Sequence, residues 1–360
     1  MKTLLLIGGG HAHLHILKML QSEPLPNVKV VLISPSVYQY YSGMISGYVE
    51  NLYTLDEIRI DLRRLSQSAS IQFIQDIAVL VDPAKRILYT EQSGSWSYDA
   101  ISLDMGSVTA QTATPGVKEH AILVKPMDRF VHLLEKLKSA EQIVVAGGGS
   151  SGIELSLAIR ASGGRKTKHV SLISTEALML NTGHHTSLKL TNIFKQKGVR
   201  LCVGDAVTSV FSDHVCLKSG AKLQCDELIW VTGPEAPSLF AKSGLNTDDH
   251  GYMKVFPTLQ STEYTNVFGA GDCISIIGYP DLPKSGVYAV KEAPVLWSNL
   301  KAYFRGIAMK KYHPQKRSLS LLSTGNREAL FLYGSMAMHG RWCWKLKRHI
   351  DKAFMDKYRV

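Results

Sequence analysis

The chain has 360 residues, 45% hydrophobic and 20% charged, which is enough apolar material for two or three cored domains and too much for a disordered chain. Its apolar runs end after about five residues, as at 77–81, against the ~20 a membrane span needs, and glycines interrupt the apolar start before a signal-peptide core could form. A cytoplasmic location is therefore expected. The net charge of +11 sits in one place: residues 301–360 hold 14 Lys+Arg against 3 Asp+Glu, and the rest of the chain balances. That excludes a uniformly basic nucleic-acid binder and points to one face that meets an anionic partner.

Residues 3–7 read as a strand, Gly8-Gly9-Gly10 as a tight turn, 13–21 as a helix and 28–33 as a second strand. The pattern recurs with a strand at 142–146, the turn Gly147-Gly148-Gly149-Ser150-Ser151-Gly152, a helix at 153–161 and a strand at 169–173. A strand, glycine turn and helix in that order suit a dinucleotide. The first glycine makes the turn, the second lets backbone N–H groups approach a pyrophosphate, and the third lets helix and strand pack closely. The second copy is complete at Gly147, Gly149 and Gly152. The first has Gly8 and Gly10, with His13 where the third glycine belongs.

Both copies lack the acid that usually ends the second strand and binds a ribose. Ser34 stands there in the first copy, and Ser174, with Glu176 two residues on, in the second. With Arg165, Lys166 and Lys168 nearby, NADPH is as open as NADH. Strands ending in turns follow at 98–107, containing Gly106, and at 226–234. Residues 266–273 run into the turn Gly269-Ala270-Gly271-Asp272, and a helix is expected over 287–304. A hairpin (317–322 with 328–333) precedes a final helix whose residues Trp342, Leu346, Ile350, Ala353, Phe354 and Tyr358 form one apolar stripe. Its other side is basic. Such a helix fits a membrane surface, and it equally fits packing on its own body or on a dimer mate.

Five cysteines, none in a C-x-x-C, offer neither a zinc spacing nor a disulfide framework. His11, His13 and His15 do not converge on one helical face, so no metal is expected.

The tandem glycine turns, the two strand-turn segments and the G-x-G-D motif together resemble the two-dinucleotide-binding-domain flavoproteins, the pyridine nucleotide–disulfide oxidoreductase superfamily. Within it the chain resembles the type II NADH dehydrogenase and sulfide:quinone reductase branch. More narrowly, residues 8–15, 34–44 and 283–288 resemble the flavoprotein module found fused to selenide, water dikinase. The resemblance implies an α/β fold of two Rossmann-like domains, with FAD held by 1–105 and 255–310, NAD(P)H by the inserted 106–254, and a basic C-terminal hairpin and helix at 311–360. It implies FAD contacts at Gly8, Gly10, His11, Ser34, Tyr41, Ser42, Gly43, Met44, Gly106, Gly271, Asp272, Gly286 and Val287. Gly147, Gly149, Gly152 and Ser174 would hold NAD(P)H, while Glu154 and Lys284 would be the catalytic side chains.

The missing residues narrow the activity. No cysteine precedes Cys202, and Ser150 and Ser151 stand where a sulfide-oxidising relative would carry a thiol, so thiol relays have no nucleophile. The quinone-reading A-Q-x-x-x-Q segment is replaced by residues 286–291, with Val287 and Lys291 at the glutamine positions. Hydride transfer from NAD(P)H to flavin survives both departures, and the acceptor, quinone or another small molecule, stays open. An oxidoreductase of selenium metabolism and a non-enzymatic FAD- or NAD(P)H-binding sensor are the alternatives. Peripheral attachment to the inner membrane face and a homodimer also stay open.

Overall fold

The computed structural model describes residues 1–163, 168–179 and 182–359. Two five-stranded parallel sheets organise it, and they are built alike. In the first, the strands run in the order Val267–Gly269, Ala100–Leu103, Lys2–Ile7, Val28–Ser34 and Gln72–Gln75. In the second, the order is Ala121–Leu123, Glu227–Trp230, Gln142–Ala146, His169–Ser174 and Arg200–Val203.

In each sheet the strand that opens the glycine turn is central and the next strand in sequence lies on one side. A strand from much later lies on the other side, so the chain reverses its winding at the glycine turn. In open parallel sheets that reversal leaves a crevice at the carboxyl ends of the strands, where ligands bind. Each sheet also has a three-stranded antiparallel sheet between its outer and late strands in sequence, at 78–97 and 207–224.

The central strands are apolar on both faces, with Leu4, Leu5, Leu6 and Val145 fully buried, as expected where helices cover both sides of a parallel sheet. Helices His11–Ser22 and Ser150–Ser162 start at the glycine turns, a few residues before the apolar periodicity does. Gly10 (φ −65°, ψ 176°) and Gly149 (φ −71°, ψ 177°) are extended, so each helix begins immediately after its second glycine. Among the described residues no helix is long and apolar enough to cross a membrane.

The C-terminal segment differs from its expected form in two respects. The hairpin, Ser320–Gly325 with Glu328–Tyr333, gains a third antiparallel strand, Met336–Gly340, after a turn at Gly334 (φ +58°). That strand has no β-branched residue, so pairing with its neighbour, not intrinsic preference, makes it.

The final helix, Arg341–Tyr358, buries a face rotated from the expected stripe and shares Tyr358 with it. Cys343, Lys347, Asp351, Met355 and Tyr358 are buried, while Trp342 and Ile350 remain 49% and 40% exposed and Ala353 is exposed. The helix packs on its own body, and a charged pair sits in the middle of the packed face. A polar residue can be buried when its partners are also there, and an apolar stripe cannot show that.

Candidate active site

The carboxyl ends of the first sheet bring several glycine turns together. His13, in place of the third glycine, is fully buried, with Nδ1 2.7 Å from the Gly8 carbonyl and Nε2 2.9 Å from Ser102 Oγ. Burial pushes this imidazole down to about 4, so it is neutral. A carbonyl only accepts, so Nδ1 carries the proton and Nε2 accepts from Ser102. The ring thus ties helix to strand where a glycine would otherwise allow close approach.

Next to it is Asp104, inside the 98–107 strand-turn segment but not among the expected site residues. Its carboxylate accepts from the Ala12 and His13 amides at 2.8 and 3.0 Å, and its carbonyl accepts from the Gly10 amide at 3.1 Å. A Cβ on Gly10 would lie 2.1 Å from Asp104 Oδ1, so only glycine fits there. Burial, with Asp272 adding to it, pushes the Asp104 carboxyl up to about 7 despite the two amide bonds.

Across the rim, the left-handed Gly271 (φ +73°) donates its amide to Glu292 Oε2 at 2.6 Å. Burial raises Glu292 to about 8, with the Gly271 bond pulling the other way. Gly10, His11, Gly106, Gly271, Asp272 and Gly286 are half-buried and line an accessible edge. The start of helix Gly286–Arg305 adjoins the start of His11–Ser22, since a Cβ on Gly286 would lie 3.4 Å from the His11 ring. Two adjoining helix N-termini and an acidic hydroxyl acceptor, Asp272, suit a phosphate-bearing dinucleotide.

Tyr41 lies beside the C-terminal helix. It stacks on Phe354 (centroids 4.4 Å apart) and meets His11 edge-on at 5.8 Å, and its hydroxyl donates to Asp351 Oδ1 at 3.1 Å. Ser42 is exposed and Gly43 half-buried, whereas Met44 is only 1% exposed and belongs to the core. Lys347 donates to the Gly43 carbonyl at 2.5 Å and to Asp351 Oδ2 at 2.9 Å, and it stands 4.0 Å from Glu154 Oε1. Glu154 Oε1 also accepts from the Ser323 amide at 2.8 Å and from Ser46 Oγ at 3.3 Å. Burial would lower Lys347, but the Glu154 and Asp351 carboxylates outweigh it and keep the ammonium charged. Glu154, the more distant acid, is raised by burial, with Lys347 only partly offsetting it.

In the second sheet, Gly147 (φ +127°) has Val231 O 2.2 Å from where a Cβ would be, and a Cβ on Gly152 would lie 1.8 Å from Gly147 O. Gly149 faces open space at an exposed helix start. Ser174 Oγ donates to the Glu176 carbonyl at 2.6 Å. Lys168 departs from the sequence reading: its ammonium donates to the Ala140 carbonyl at 2.9 Å and also to that of Leu137. It precedes its strand, whereas a ribose site lies beyond Ser174 at the other end, so it adds nothing toward a 2′-phosphate. Arg165 and Lys166 lie outside the described residues.

Ser34 is buried at the end of its strand, and Val287 is 40% exposed. The Lys284 ammonium donates to the Ile274 carbonyl and lies 4.0 Å from the centre of the Tyr252 ring. Cys273 is buried and donates weakly to Ala270 and Leu103 carbonyls, and burial pushes its thiol up to about 12. Asp104, Glu292 and Lys347 were missed by sequence reading. Only Asp104 carried a local signal, as an acid closing an otherwise apolar strand.

Two matched sheets, each with a glycine turn at its reversal point, are the architecture of a two-dinucleotide oxidoreductase. The sequence profile of the family described as "Pyridine nucleotide-disulphide oxidoreductase" matches residues 2–293, and the chain belongs to that family. It is an FAD-dependent, NAD(P)H-using oxidoreductase. The chain is 24% identical over 344 residues to the NADH dehydrogenase-like protein YutJ of Bacillus subtilis, covering 92% of each chain. In fold it is similar to NDH2 of Plasmodium falciparum, solved with NADH (TM-score 0.86, 14% identity, 99% and 97% covered). It is also similar to the sulfide:quinone oxidoreductase of Aquifex aeolicus (TM-score 0.83, 20% identity, 100% and 92% covered).

Lys347→Met should cost about 3–5 kcal/mol in urea unfolding, because it leaves Glu154 and Asp351 buried without their cation. A cost below about 1 kcal/mol would mean that this lysine does not hold the helix down. Asp104 gives a pH signature. Its folded pKa of about 7 lies above the ordinary 3.8, so its contribution is complete below about 4 and disappears as pH rises through 7. Asp104→Asn removes that titration, so the melting temperature of the wild type should fall relative to the variant between pH 5.5 and 8. A difference independent of pH would show that Asp104 is ionised throughout.

Proposed function

We propose that the protein takes a hydride from NAD(P)H at the second glycine turn and delivers two electrons, through flavin at the first, to a small acceptor of the quinone type. FAD supplies the chemistry by accepting the hydride and releasing its electrons to the acceptor. The observation that carries the reading is the duplicated sheet, with an accessible glycine turn at each reversal point and, at the second, an exposed helix start. Gly8, Gly10, His11, Gly106, Gly271, Asp272, Gly286 and Val287 are assigned to FAD, and Gly147, Gly149 and Gly152 to NAD(P)H. Glu154 and Lys284 are assigned as positioning residues, since their polar atoms are engaged by neighbouring protein groups.

A direct transfer from flavin to acceptor is favoured over a thiol relay. Cys273 is buried with a strongly raised thiol, and no cysteine precedes Cys202. A quinone accords with the name of the Aquifex aeolicus neighbour, and a nicotinamide donor with the name of YutJ and with the NADH bound to NDH2.

We also assign the face carrying Tyr333, Met336, Met338 and Trp342, all exposed and flanked by Arg341, Lys345 and Arg348, to an anionic membrane surface.

Anaerobic mixing with NADH or NADPH should bleach the flavin band near ~450 nm within seconds. A quinone analogue, but not a disulfide, should then restore it. A flavin spectrum unchanged by both nucleotides would overturn the assignment. The full chain should co-sediment with anionic vesicles more than with zwitterionic ones, and Trp342→Ser should weaken that binding. Equal binding to both vesicle types would remove the membrane reading and leave the redox reading intact.

A further inference from the structure

Lys125 belongs to neither glycine motif, yet it joins the two halves of the molecule. The strand Ala121–Leu123 is part of the second sheet, and two residues later the Lys125 side chain reaches the rim of the first. Its ammonium donates to Ser107 Oγ and stands 3.9 Å from Asp272 Oδ2, and its amide donates to Thr109 Oγ1 at 3.2 Å. The residue is thus tied at both ends to the segment after Gly106, and its cation spans the gap between that turn and the Gly271–Asp272 turn. Its side chain is 32% exposed. Burial lowers its pKa, with Asp272 pulling it back up.

The surroundings sharpen the role. Three carboxyl groups, Asp104, Asp272 and Glu292, gather behind this rim, and burial raises the first and last to about 7 and 8. Of the lysines near Asp272, Lys284 commits its ammonium to a backbone carbonyl and an aromatic ring, whereas Lys125 places its own between the two turns. Hydride transfer carries two electrons and one proton. NAD(P)H leaves as NAD(P)⁺, and the neutral ring system gains one negative charge with no further reactant. A fixed cation in a partly dehydrated rim stabilises that charge more than it stabilises the neutral oxidised form, and it needs no reorganisation to do so.

We propose that Lys125 is the electrostatic residue of the flavin site: its ammonium, held between Ser107 and Asp272, stabilises the negative charge of the reduced ring system and so sets how readily the bound flavin accepts a hydride. This rests on the FAD assignment above. If Lys125 served only to neutralise Asp272, its loss would weaken FAD binding and leave the redox equilibrium unchanged.

The test is the two-electron midpoint potential of the purified flavin-loaded protein, measured by equilibration with reference dyes. Lys125→Met should lower the equilibrium constant for reduction at least tenfold, which is about 30 mV for a two-electron couple. Lys125→Arg, which keeps the charge, should stay within threefold of wild type. A Lys125→Met protein with full flavin content and a potential within threefold of wild type overturns the proposal. Should that variant lose its flavin, Lys125→Gln and Lys125→Arg are compared by sulfite addition to the flavin, which the cation also favours. Tenfold weaker binding in the glutamine variant supports the proposal, and equal binding overturns it. A wild-type protein that is colourless and refuses added flavin instead defeats the FAD assignment itself.

Discussion

A single buried ammonium binds four distant parts of the chain into one site. Lys347 touches the Gly43 carbonyl and Asp351 and lies near Glu154, while Glu154 in turn holds the Ser323 amide and the Ser46 hydroxyl. One cation among two carboxylates and a carbonyl is tolerable in a dry place only if each partner stays where it is, because a displaced partner leaves a charge both buried and unpaired. The C-terminal helix is therefore part of the wall of the site. Through it Phe354 reaches Tyr41 and His11, so the aromatic side of the first glycine turn depends on residues more than 300 positions away in sequence.

The first glycine turn departs from the usual pattern and compensates in its own way. Where the second turn relies on Gly152 to let helix and strand close up, the first uses the His13 imidazole as a bridge between Gly8 and Ser102. Asp104 completes the arrangement by satisfying the inner amides of the helix start, which otherwise lack partners. The turn is thus built from a neutral histidine and a carboxyl of raised pKa, leaving Gly10 and His11 at the accessible edge. His13 replaces side-chain-free packing with hydrogen bonds to Gly8 and Ser102.

The legible part of the molecule was its periodic part. Strands at 3–7, 28–33, 142–146 and 169–173 and the glycine turns between strand and helix follow from alternation, apolar runs and the special backbone needs of glycine, and they lie within a residue or two of their positions in the fold. The last sixty residues were less legible. Their apolar stripe, from Trp342 to Tyr358, fits a membrane surface or packing on protein, but the buried face centres on Lys347 and Asp351 and leaves Trp342 and Ile350 exposed. The basicity of Lys168 likewise suggested a phosphate site, until its position at the amino end of its strand directed it to the Leu137 and Ala140 carbonyls.

Local pattern by itself determined the two strand-turn-helix units, their duplication and the absence of an early thiol pair, because each depends on residues only a few positions apart. Only the tertiary structure decided that Asp104 and Glu292 face the glycine turns, that Lys125 spans the two halves, and that a charged pair anchors the last helix. These depend on whether a buried charge finds its partner, and the partners come from elements that sequence distance does not connect.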